Sequence, residues 1–348
     1  MDLMNNLPLN YFGEGRIKTD VPMENKTYFK IGGKADYYFE PENLSELKSA
    51  IRLCNEIKLP YFLLGLGANI LVGDKGIRGM VIRVVNNSLE VVGEYSDKEG
   101  EKQIKTAHYQ PVDKERYLRF EDLDDPEFTP DTLIRVGAGV SLSHLISWSL
   151  EHGLTGLQYF SGIPSTVGGC VYNNVHGGTK LFSQYVESVV LVNQFGEAER
   201  VDANLMEFSY DYSRIQNTKE IVFEVYLKLQ HGDINRARFV RDEWFRRKLR
   251  VQPQTYCSGC IFKNLSEEDA KRVGSPTVSA GWLIDIGLGL KNKKIGGVEI
   301  SPKHANFFVN TGNGTAKDVL QLIEYVKGAA KDKYNVTLVE EIQLVGEM

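Results

Sequence analysis

The sequence predicts an α+β fold, on three observations. Strand and helix patterns alternate over the first part of the chain, strand patterns dominate the middle, and the last third holds an amphipathic helix followed by an apolar run. With 348 residues, the chain can form two or three domains with a sizeable core. We predict three units, at residues 1–88, 89–232 and 233–348.

The first unit contains a strand, a helix and two further strands. Residues 36–40 (DYYFE) have a strand pattern, and Asn43 then caps a helix that carries Glu46 three residues later. The apolar runs at 61–64 and 80–84 predict short strands. The helix buries the residues that recur at helical spacing: Leu44, Leu47, Ile51 and Cys54.

The middle unit is predicted to be mainly sheet. The run 132–140 (TLIRVGAGV) predicts a strand that enters a glycine turn, and Ser141 caps the helix that follows. Two later runs, 188–193 and 221–229, also have strand patterns. Residues 95–130 are charged and poor in aliphatic side chains, so we predict a surface insertion there.

The last unit is predicted to hold a charged helix, a cysteine motif, a second helix and a closing strand. Thr315 caps the second helix with Asp318 at its third position, and 337–345 (TLVEEIQLV) predicts the strand. The basic run 244–250 (WFRRKLR) follows two acidic residues, and we interpret it as a solvated helix face.

Composition excludes several classes of protein. The formal net charge of −5 gives no basic excess for nucleic acid or an acidic membrane surface. The N-terminus lacks the pattern of a signal peptide, and no run approaches the roughly 18 apolar residues of a membrane span. Four cysteines in so long a chain do not indicate a disulfide framework. We predict a cytoplasmic protein that is a monomer or weak dimer.

Two glycine-rich loops favour a large diphosphate ligand. Gly65 and Gly67 follow a strand, where a loop can present backbone N–H groups to phosphate, although an ordinary tight turn also fits. In 161–178, Pro164 and two hydroxyl residues suit a helix start whose free N–H groups attract an anion, although helix packing also fits. The glycine turn at 137–139 is a third loop of this kind. None is the dinucleotide fingerprint, which needs a helix directly after G-x-G-x-x-G.

Cys257 and Cys260 form a C-x-x-C pair. Two ligands are too few for zinc, which prefers four. A disulfide between the two cysteines, an inert packing role, and a proton-donating thiol at Cys260 remain open.

The loops resemble those of the vanillyl-alcohol-oxidase type of flavin-binding fold. The whole chain resembles the UDP-N-acetylenolpyruvoylglucosamine reductase family, whose members are also called UDP-N-acetylmuramate dehydrogenases. The resemblance covers most of 21–347 except the insertion, and implies two FAD-binding subdomains before an α/β substrate-binding domain, in the subgroup without an extra substrate-covering loop. It rests on seven stretches in order: NKTYFKIGGKADYY (25–38), GLGANILVGDKGIRG (65–79), VGAGV (136–140), GLQYFSGIPSTVGGCVYNN (156–174), GCIFKN (259–264), the run from AGWLIDIG to TAKDV (280–319) and LVEEIQLVGE (338–347).

The resemblance implies FAD as cofactor, NADPH as hydride donor and UDP-N-acetylglucosamine enolpyruvate as substrate, in the synthesis of peptidoglycan precursors. Hydride goes to the terminal alkene carbon, and negative charge then builds as an enolate beside the carboxylate. That charge requires a cation or an acid, and a proton completes the reaction.

The resemblance also implies the residues of the site. Cys260 stands where the family has a proton-donating serine, and its thiol, with an ordinary pKa of about 8.5, can serve the same role; Ser258 is a second candidate donor. Alternation does not choose between Glu340 and Glu341, but the resemblance selects Glu341 as catalytic. No metal is implied. Expected cofactor contacts are Gly65, Leu66, Gly67, Ala68, Asn69, Ile70, Gly137, Gly139, Gly162, Ile163, Pro164, Ser165, Thr166, Gly168 and Gly169. Expected substrate contacts are Tyr172, Lys263, Asn264, His304 and Asn306.

One position departs from the family pattern. Asp211 stands where the family has an arginine that holds the substrate carboxylate, and an aspartate would repel it. Arg214, three residues later, is our candidate for the missing catalytic cation, or it pairs with Asp211 on the surface. His176 also departs from the pattern, and we interpret it as a packing residue that could otherwise contact flavin.

The departure keeps other functions open. A divergent flavin oxidase could tether its cofactor through His176, and a non-catalytic homologue could bind flavin or a nucleotide sugar without turnover. A redox or metal module built on C-x-x-C fits the sequence least well.

Overall fold

The structure is a computed structural model that describes residues 7–96, 123 and 128–348. The strands are β1 (Lys18–Pro22), β2 (Lys34–Phe39), β3 (Tyr61–Leu63), β4 (Ile70–Val72), β5 (Ile77–Ile82), β6 (Leu89–Glu94), β7 (Thr132–Gly137), β8 (Leu154–Thr155), β9 (His176–Gly177), β10 (Lys180–Leu181), β11 (Val186–Val192), β12 (Ala198–Asp202), β13 (Ile221–His231), β14 (Cys257–Cys260), β15 (Lys294–Ile295), β16 (Val298–Ile300), β17 (Phe307–Asn310) and β18 (Gln343–Val345). The α-helices are α1 (Leu44–Glu56), α2 (Leu142–Glu151), α3 (Val167–Asn173), α4 (Ile215–Thr218), α5 (Ile234–Val251), α6 (Glu267–Arg272), α7 (Ala280–Trp282) and α8 (Ala316–Tyr334).

The chain divides into two compact units that interleave along the sequence. Unit 1 comprises Met1–Ile17, Phe39–Gly65 and Ile82–Lys248, and unit 2 comprises Lys18–Tyr38, Leu66–Val81 and Leu249–Met348. The sequence predicted three contiguous units, with the last beginning at 233. The structure instead keeps most of α5 in unit 1, because this helix buries Ala237 in the core of that unit.

Unit 1 is built on an antiparallel sheet. Its strand order is β12-β11-β13-β7-β6, with the short β8 also paired to β13. β13 alternates buried and partly buried residues, as a strand with one covered face does. Apolar residues of the sheet pack with those of α2 and α3 in one core, which fixes the glycine turns at the ends of these elements.

Unit 2 contains a second antiparallel sheet, in the order β14-β17-β16-β15. The buried face of α8 packs in the core of this unit together with Phe29, Ile31 and Leu71. β18 pairs in parallel with β4, so the end of the chain lies beside the segment that follows the first glycine loop.

Local sequence signals predicted the helix starts correctly. Asn43 accepts from the Glu46 N–H, Ser141 accepts from the third N–H of α2, and Thr315 forms a capping box with Asp318. The predicted closing strand 337–345 is too long, because only its last three residues pair with β4.

The insertion predicted at 95–130 lies mostly outside the described residues. Leu123 is described, and it is buried in a cluster with Tyr159, Val240 and Trp244 of unit 1. Of the helices in the described part of the chain, none has the length and apolar character to cross a membrane.

Candidate functional site

In unit 1, the glycine turn after β7 lies against the start of α3. The N–H groups of Val167 and Gly168 donate to the carbonyls of Val140 and Ala138, both at 2.9 Å. A Cβ atom on Gly168 would stand 3.1 Å from the Cβ atom of Ala138, so the two segments approach closely. Unit 1 therefore brings together two of the loops that the sequence predicted.

Gly137 and Gly139 are required by packing within the chain. A Cβ atom on Gly137 would lie 2.3 Å from the Asn86 carbonyl oxygen, and one on Gly139 would lie 2.8 Å from that of Val84. These contacts favour the packing interpretation of the turn. Contact with a ligand through these two glycines stays a prediction.

The start of α3 is capped as predicted, but its N–H groups are not available to an anion. Thr166 Oγ1 accepts from the Gly169 N–H at 3.1 Å, and the N–H groups of Val167 and Gly168 already donate to carbonyls. The prediction that the helix N–H groups attract an anion is therefore wrong. In the preceding turn, the N–H groups of Ser165 and Thr166 have no acceptor among the described residues, and they can serve a diphosphate instead.

The first glycine loop of unit 2 presents a run of open donors. Within the described part of the chain, the backbone N–H groups of Leu66, Gly67, Ala68 and Asn69 donate to no acceptor. Gly67 has φ +67°, and a Cβ atom there would lie 2.5 Å from the Lys26 carbonyl oxygen, so only glycine fits without strain. Successive free N–H groups in a turn are the arrangement that binds phosphate oxygens.

Other residues predicted to contact ligands flank these loops. Gly65 belongs to unit 1, where a Cβ atom would lie 3.3 Å from Thr166 Oγ1. Ile70 begins β4. Tyr172 lies partly buried on α3, and its carbonyl accepts from Ser213 Oγ at 2.7 Å. Their contacts with ligands stay predictions.

A lysine with a perturbed pKa lies beside the turn before α3. Lys248 Nζ donates to the Ser161 carbonyl at 2.6 Å, and the Lys248 side chain packs over Gly162. Burial lowers the pKa of Lys248 to about 7. The predicted solvated face at 244–250 is therefore wrong for Lys248 and for the buried Trp244. Charge patterning cannot reveal a lysine whose amino group is desolvated by tertiary packing, and such a group is a functional candidate.

In unit 2, a β-bulge sets the direction of Cys260. Cys257 pairs with Val309 and Cys260 pairs with Phe307, so β14 carries one more residue than β17 over this step. Gly259 accommodates the bulge with φ +82°. Bulges re-aim side chains at functional sites, and Cys260 is partly accessible after this one.

The backbone of unit 2 brings Glu341 to the strand that carries Cys260. The Glu341 N–H donates to the Ile261 carbonyl at 2.8 Å, and the Lys263 N–H donates to the Val339 carbonyl at 2.9 Å. The Glu341 carbonyl also accepts from Asn69 Nδ2 at 3.4 Å. The thiol strand, the acidic segment and the open glycine loop are thus held side by side within one unit.

The neighbouring glutamate has a structural partner. Glu340 Oε1 accepts from Lys327 Nζ at 2.8 Å. Although partial burial raises it, the hydrogen bond and charge of Lys327 bring the pKa of Glu340 below its ordinary value. Glu340 is therefore held by Lys327 of α8, and the catalytic role of Glu341 that the resemblance implies stays a prediction.

Asn306 holds the Cys260 strand in place. Its Nδ2 donates to the Phe262 carbonyl at 2.8 Å, and its Oδ1 accepts from the Phe262 N–H at 3.0 Å. Its carbonyl accepts from the Ile261 N–H at 2.8 Å. The residue is 3% exposed, so the prediction that it contacts substrate is not supported, and it positions the segment after Cys260 instead.

Replacing Asn306 with alanine should destabilise the protein by about 2–3 kcal/mol, because two buried backbone groups of Phe262 lose their partners. The measurement is the free energy of unfolding in urea. Asn264→Ala, at an exposed asparagine, is the matched control and should not move the midpoint. An unchanged urea midpoint in Asn306→Ala, together with a raised KM for the substrate, would instead support direct contact between Asn306 and the substrate.

The remaining predicted substrate residues of unit 2 differ in environment. Lys263 and Asn264 are exposed, and their contact with a ligand stays a prediction. Burial, together with the charge of Lys291, lowers the pKa of His304 to about 4. His304 is therefore neutral at physiological pH, and its Nδ1 accepts from the Asn306 N–H at 3.3 Å.

Cys257 and Cys260 are both thiols in the structure. Burial raises the pKa of the Cys257 thiol, which makes it a poor partner for disulfide exchange. The fallback donor Ser258 is buried, with its Oγ atom unpaired among the described residues. No cluster of metal-ligating residues occurs in the described part of the chain.

Arg214 does not pair with Asp211. Its Nη2 lies 3.1 Å from Glu220 Oε1, and its Nη1 donates to the Leu205 carbonyl at 3.1 Å. The guanidinium is thus neutralised within its own loop, and this pairing argues against Arg214 as the replacement cation.

Asp211 instead pairs with His176. The Nδ1 atom of His176 lies 3.3 Å from Asp211 Oδ1, and the imidazole stacks on the Tyr210 ring at a centroid distance of 5.1 Å. The His176 side chain is 43% exposed, so its interpretation as a packing residue is wrong. The sequence shows both residues as departures from the family pattern. It does not predict their contact, because they lie 35 positions apart.

Comparison with known proteins agrees with these features. Residues 252–345 match the family model of the UDP-N-acetylenolpyruvoylglucosamine reductase C-terminal domain, and residues 110–202 match that of an FAD binding domain.

Two curated relatives span nearly the whole chain. A UDP-N-acetylenolpyruvoylglucosamine reductase of Caldanaerobacter subterraneus subsp. tengcongensis is 34% identical over 96% of this chain and 95% of its own. One of Clostridium novyi is 33% identical over 95% and 92%. Among solved structures, the UDP-N-acetylenolpyruvylglucosamine reductase of Thermus caldophilus has a TM-score of 0.68 and 28% identity, over 94% of this chain and 98% of that one.

Proposed function

The chain belongs to the UDP-N-acetylenolpyruvoylglucosamine reductase family, and from that premise we propose that it reduces UDP-N-acetylglucosamine enolpyruvate to UDP-N-acetylmuramate with NADPH. It has the FAD-binding fold of this family. The names of the relatives support the reaction, and the alternatives of an oxidase or a non-catalytic homologue are not favoured.

FAD is the cofactor, and the residues present fit it. The four open N–H groups of Leu66, Gly67, Ala68 and Asn69 in unit 2 suit the oxygens of a diphosphate. When bound, FAD would supply the hydride-transfer chemistry between NADPH and the alkene of the substrate.

The chain itself supplies the proton and stabilises charge. Cys260 holds a proton on Sγ and gives it to the carbon beside the carboxylate as the enolate collapses. Glu341 supplies a second acidic group that can hydrogen-bond to the developing enolate. Asn306, through the Phe262 backbone, keeps the Cys260 strand in register while this happens.

The nucleotide-sugar part of the substrate needs cations and amide donors. Lys263 and Asn264 are exposed near Cys260 in sequence and suit the uridine diphosphate, and His304 and Tyr172 are further candidates. Arg214 stays a weaker candidate, because its guanidinium is held by Glu220.

We also propose a cytoplasmic location and a monomeric or weakly dimeric state. The location is supported by four cysteines that all remain thiols, which is typical of a reducing compartment.

The observation that carries the proposal is the backbone ladder that holds the segment after Cys260 against Val339–Glu341, with Asn69 bonded to Glu341. The test is an assay of NADPH oxidation by the FAD-loaded protein, run once without oxygen and once in air with an oxygen electrode. Without oxygen, oxidation beyond one equivalent of NADPH per flavin should require UDP-N-acetylglucosamine enolpyruvate and yield UDP-N-acetylmuramate by mass. Consumption of oxygen without the substrate being reduced would indicate an oxidase and overturn the proposal.

Replacing Gly67 with alanine should weaken FAD binding by roughly tenfold or more. The new Cβ atom would collide with the Lys26 carbonyl and strain a backbone with positive φ, which costs about 1–3 kcal/mol and distorts the open N–H groups. The measurement is the dissociation constant of FAD by fluorescence titration. Gly93→Ala, where a Cβ atom meets nothing within 4 Å, is the control. Equal FAD affinity in the two variants would contradict the assignment of this loop to the cofactor site.

A further inference from the structure

We propose that Asn310 is a positioning residue that holds the strand of Cys260 in a fixed place relative to the first glycine loop of unit 2, residues 66–69. The inference rests on the proposed function, since it concerns how that reaction aligns its proton donor with its cofactor. Every residue in the argument belongs to unit 2.

The proposed reaction needs this alignment because hydride and proton add to neighbouring carbons of one alkene. The glycine loop is the proposed contact with the diphosphate of FAD, and Cys260 is the proposed proton donor. A displacement of about 1 Å between reacting groups can lower a rate by roughly a hundredfold. A residue that fixes the loop relative to the strand therefore affects the rate without touching the substrate.

The backbone of Asn310 is joined to the strand that carries Cys260. Asn310 is the last residue of β17, which pairs with β14 as far as Cys260. The Asn310 N–H donates to the Tyr256 carbonyl at 2.9 Å, just before β14 begins. The main chain at Asn310 thus moves together with β14.

The side chain of Asn310 reaches a segment near the start of the chain. Its Nδ2 atom donates to the Phe29 carbonyl at 3.1 Å and to the Lys30 carbonyl at 3.2 Å. Asn310 is only 4% exposed, and Phe29 is fully buried in the core of unit 2. These two hydrogen bonds are therefore shielded from water, where they hold the segment firmly.

The same segment supports the glycine loop. The Tyr28 N–H donates to the Gly67 carbonyl at 3.0 Å. A Cβ atom on Gly67 would lie 2.5 Å from the Lys26 carbonyl oxygen and 3.0 Å from the Thr27 Cα atom. Because the loop packs so closely on this segment, a group that holds the segment also holds the loop.

The oxygen of the Asn310 amide has a separate, local role. Oδ1 accepts from the N–H groups of Gly312 and Gly314, both at 2.9 Å. The amide thus donates two hydrogen bonds to the segment at 29–30 and accepts two from its own turn, which uses its full capacity. The bridging half and the local half of the side chain can be tested separately.

The test compares Asn310→Asp with Asn310→Ala. Aspartate keeps an oxygen for the N–H groups of Gly312 and Gly314, but its second oxygen cannot donate to the carbonyls of Phe29 and Lys30. Both variants therefore lose the bridge to the glycine loop, whereas only the alanine variant loses the hydrogen bonds of the local turn.

The first measurement is hydrogen exchange, followed by mass spectrometry on the protein without flavin. We expect the Tyr28 amide to exchange roughly tenfold faster in both variants, because the segment that supports it is released. The amides of Gly312 and Gly314 should exchange faster in Asn310→Ala alone. Unchanged exchange in α8 shows that each variant is folded.

The second measurement is single-turnover reoxidation of reduced flavin by UDP-N-acetylglucosamine enolpyruvate in the FAD-loaded protein. Reoxidation should be roughly tenfold to hundredfold slower in both variants. Reduction of the flavin by NADPH should stay near the wild-type rate, because that half-reaction does not use Cys260.

Two control variants separate positioning from stability. Asn313→Ala, at an exposed asparagine of the same turn, should match the wild type in both measurements. Val326→Ala removes part of a buried side chain from the core of unit 2 and should lower the urea midpoint. It should leave the rates of both half-reactions unchanged.

The outcomes distinguish the inference from the proposed function. Wild-type reoxidation or wild-type exchange at Tyr28 in Asn310→Asp would show that Asn310 serves only its own turn, and the inference would be overturned. Equal slowing of reoxidation in Val326→Ala would overturn it as well. A wild type whose reduced flavin is not reoxidised by the substrate would contradict the proposed function, whereas the exchange data would still show whether Asn310 holds the loop.

Discussion

Replacing Cys260 with alanine will stop reduction of the enolpyruvyl substrate while NADPH still reduces the flavin. In the proposed reaction the thiol donates a proton in the second half-reaction only, and loss of a general acid lowers the rate by about 10²–10⁴-fold. The two half-reactions are followed separately by stopped-flow absorbance of the flavin. Cys260→Ser should recover part of the rate, since a hydroxyl group can also donate the proton.

Cys257→Ala is the matched control for Cys260→Ala. Cys257 lies on the same strand, and burial raises the pKa of its thiol, so we expect near-normal turnover without it. Equal loss of turnover in the two alanine variants would indicate a cysteine redox pair instead. Loss of both half-reactions in Cys260→Ala would show that the thiol serves flavin reduction or cofactor binding.

Replacing Glu341 with glutamine should lower the rate of substrate reduction by about 10²-fold or more, again with flavin reduction by NADPH retained. The amide keeps the size of the side chain but cannot hold the acidic proton that stabilises the enolate. The measurement is single-turnover reoxidation of reduced flavin by the substrate.

Glu340→Gln is its matched control, one residue away in the same segment. Because Glu340 pairs with Lys327 at a partly exposed site, its loss should cost less than about 1 kcal/mol of stability and leave turnover intact. The folded pKa of Glu340 is lowered, so the stabilisation from this pair is present at neutral pH and is lost as pH falls through that pKa. Impaired turnover in Glu340→Gln with normal turnover in Glu341→Gln would reverse the assignment.

The sequence predicted elements whose signals are local. The cap residues Asn43, Ser141 and Thr315 each accept a hydrogen bond from the backbone N–H three residues later. Both partners therefore lie in one short stretch of sequence, where the cap can be predicted. The strand runs around 132–140 and 221–229 were likewise correct, because alternation within a strand is a local property.

The sequence could not predict features that depend on distant partners. The first N–H groups of α3 donate to carbonyls at 138–140, some 30 residues earlier. No residue near Thr166 in the sequence indicates these hydrogen bonds. The ion pair of Glu340 likewise depends on Lys327, which projects from another element. The interleaving of the two units also follows from a long-range pairing, that of β18 with β4.

In the candidate site, too, features of local sequence could be predicted and long-range contacts could not. The glycine loop, Cys260 and Glu341 could be predicted as site residues because each lies in a motif of consecutive residues, and their roles stay predictions. Asn306 was assigned to the substrate, but its amide is used by the Phe262 backbone. His176 and Asp211 each depart from the family pattern, and only the fold shows that their side chains are in contact.

The most direct test of the central claim is a single anaerobic turnover in D₂O. FAD-loaded protein is reduced with one equivalent of NADPH and mixed with UDP-N-acetylglucosamine enolpyruvate, and the product is analysed by mass and NMR spectroscopy. We predict one equivalent of reoxidised flavin and UDP-N-acetylmuramate that carries deuterium at the carbon beside the carboxylate, where the exchanged thiol of Cys260 delivers it. Flavin that stays reduced until oxygen is admitted, with the enolpyruvyl group unchanged, would contradict the account.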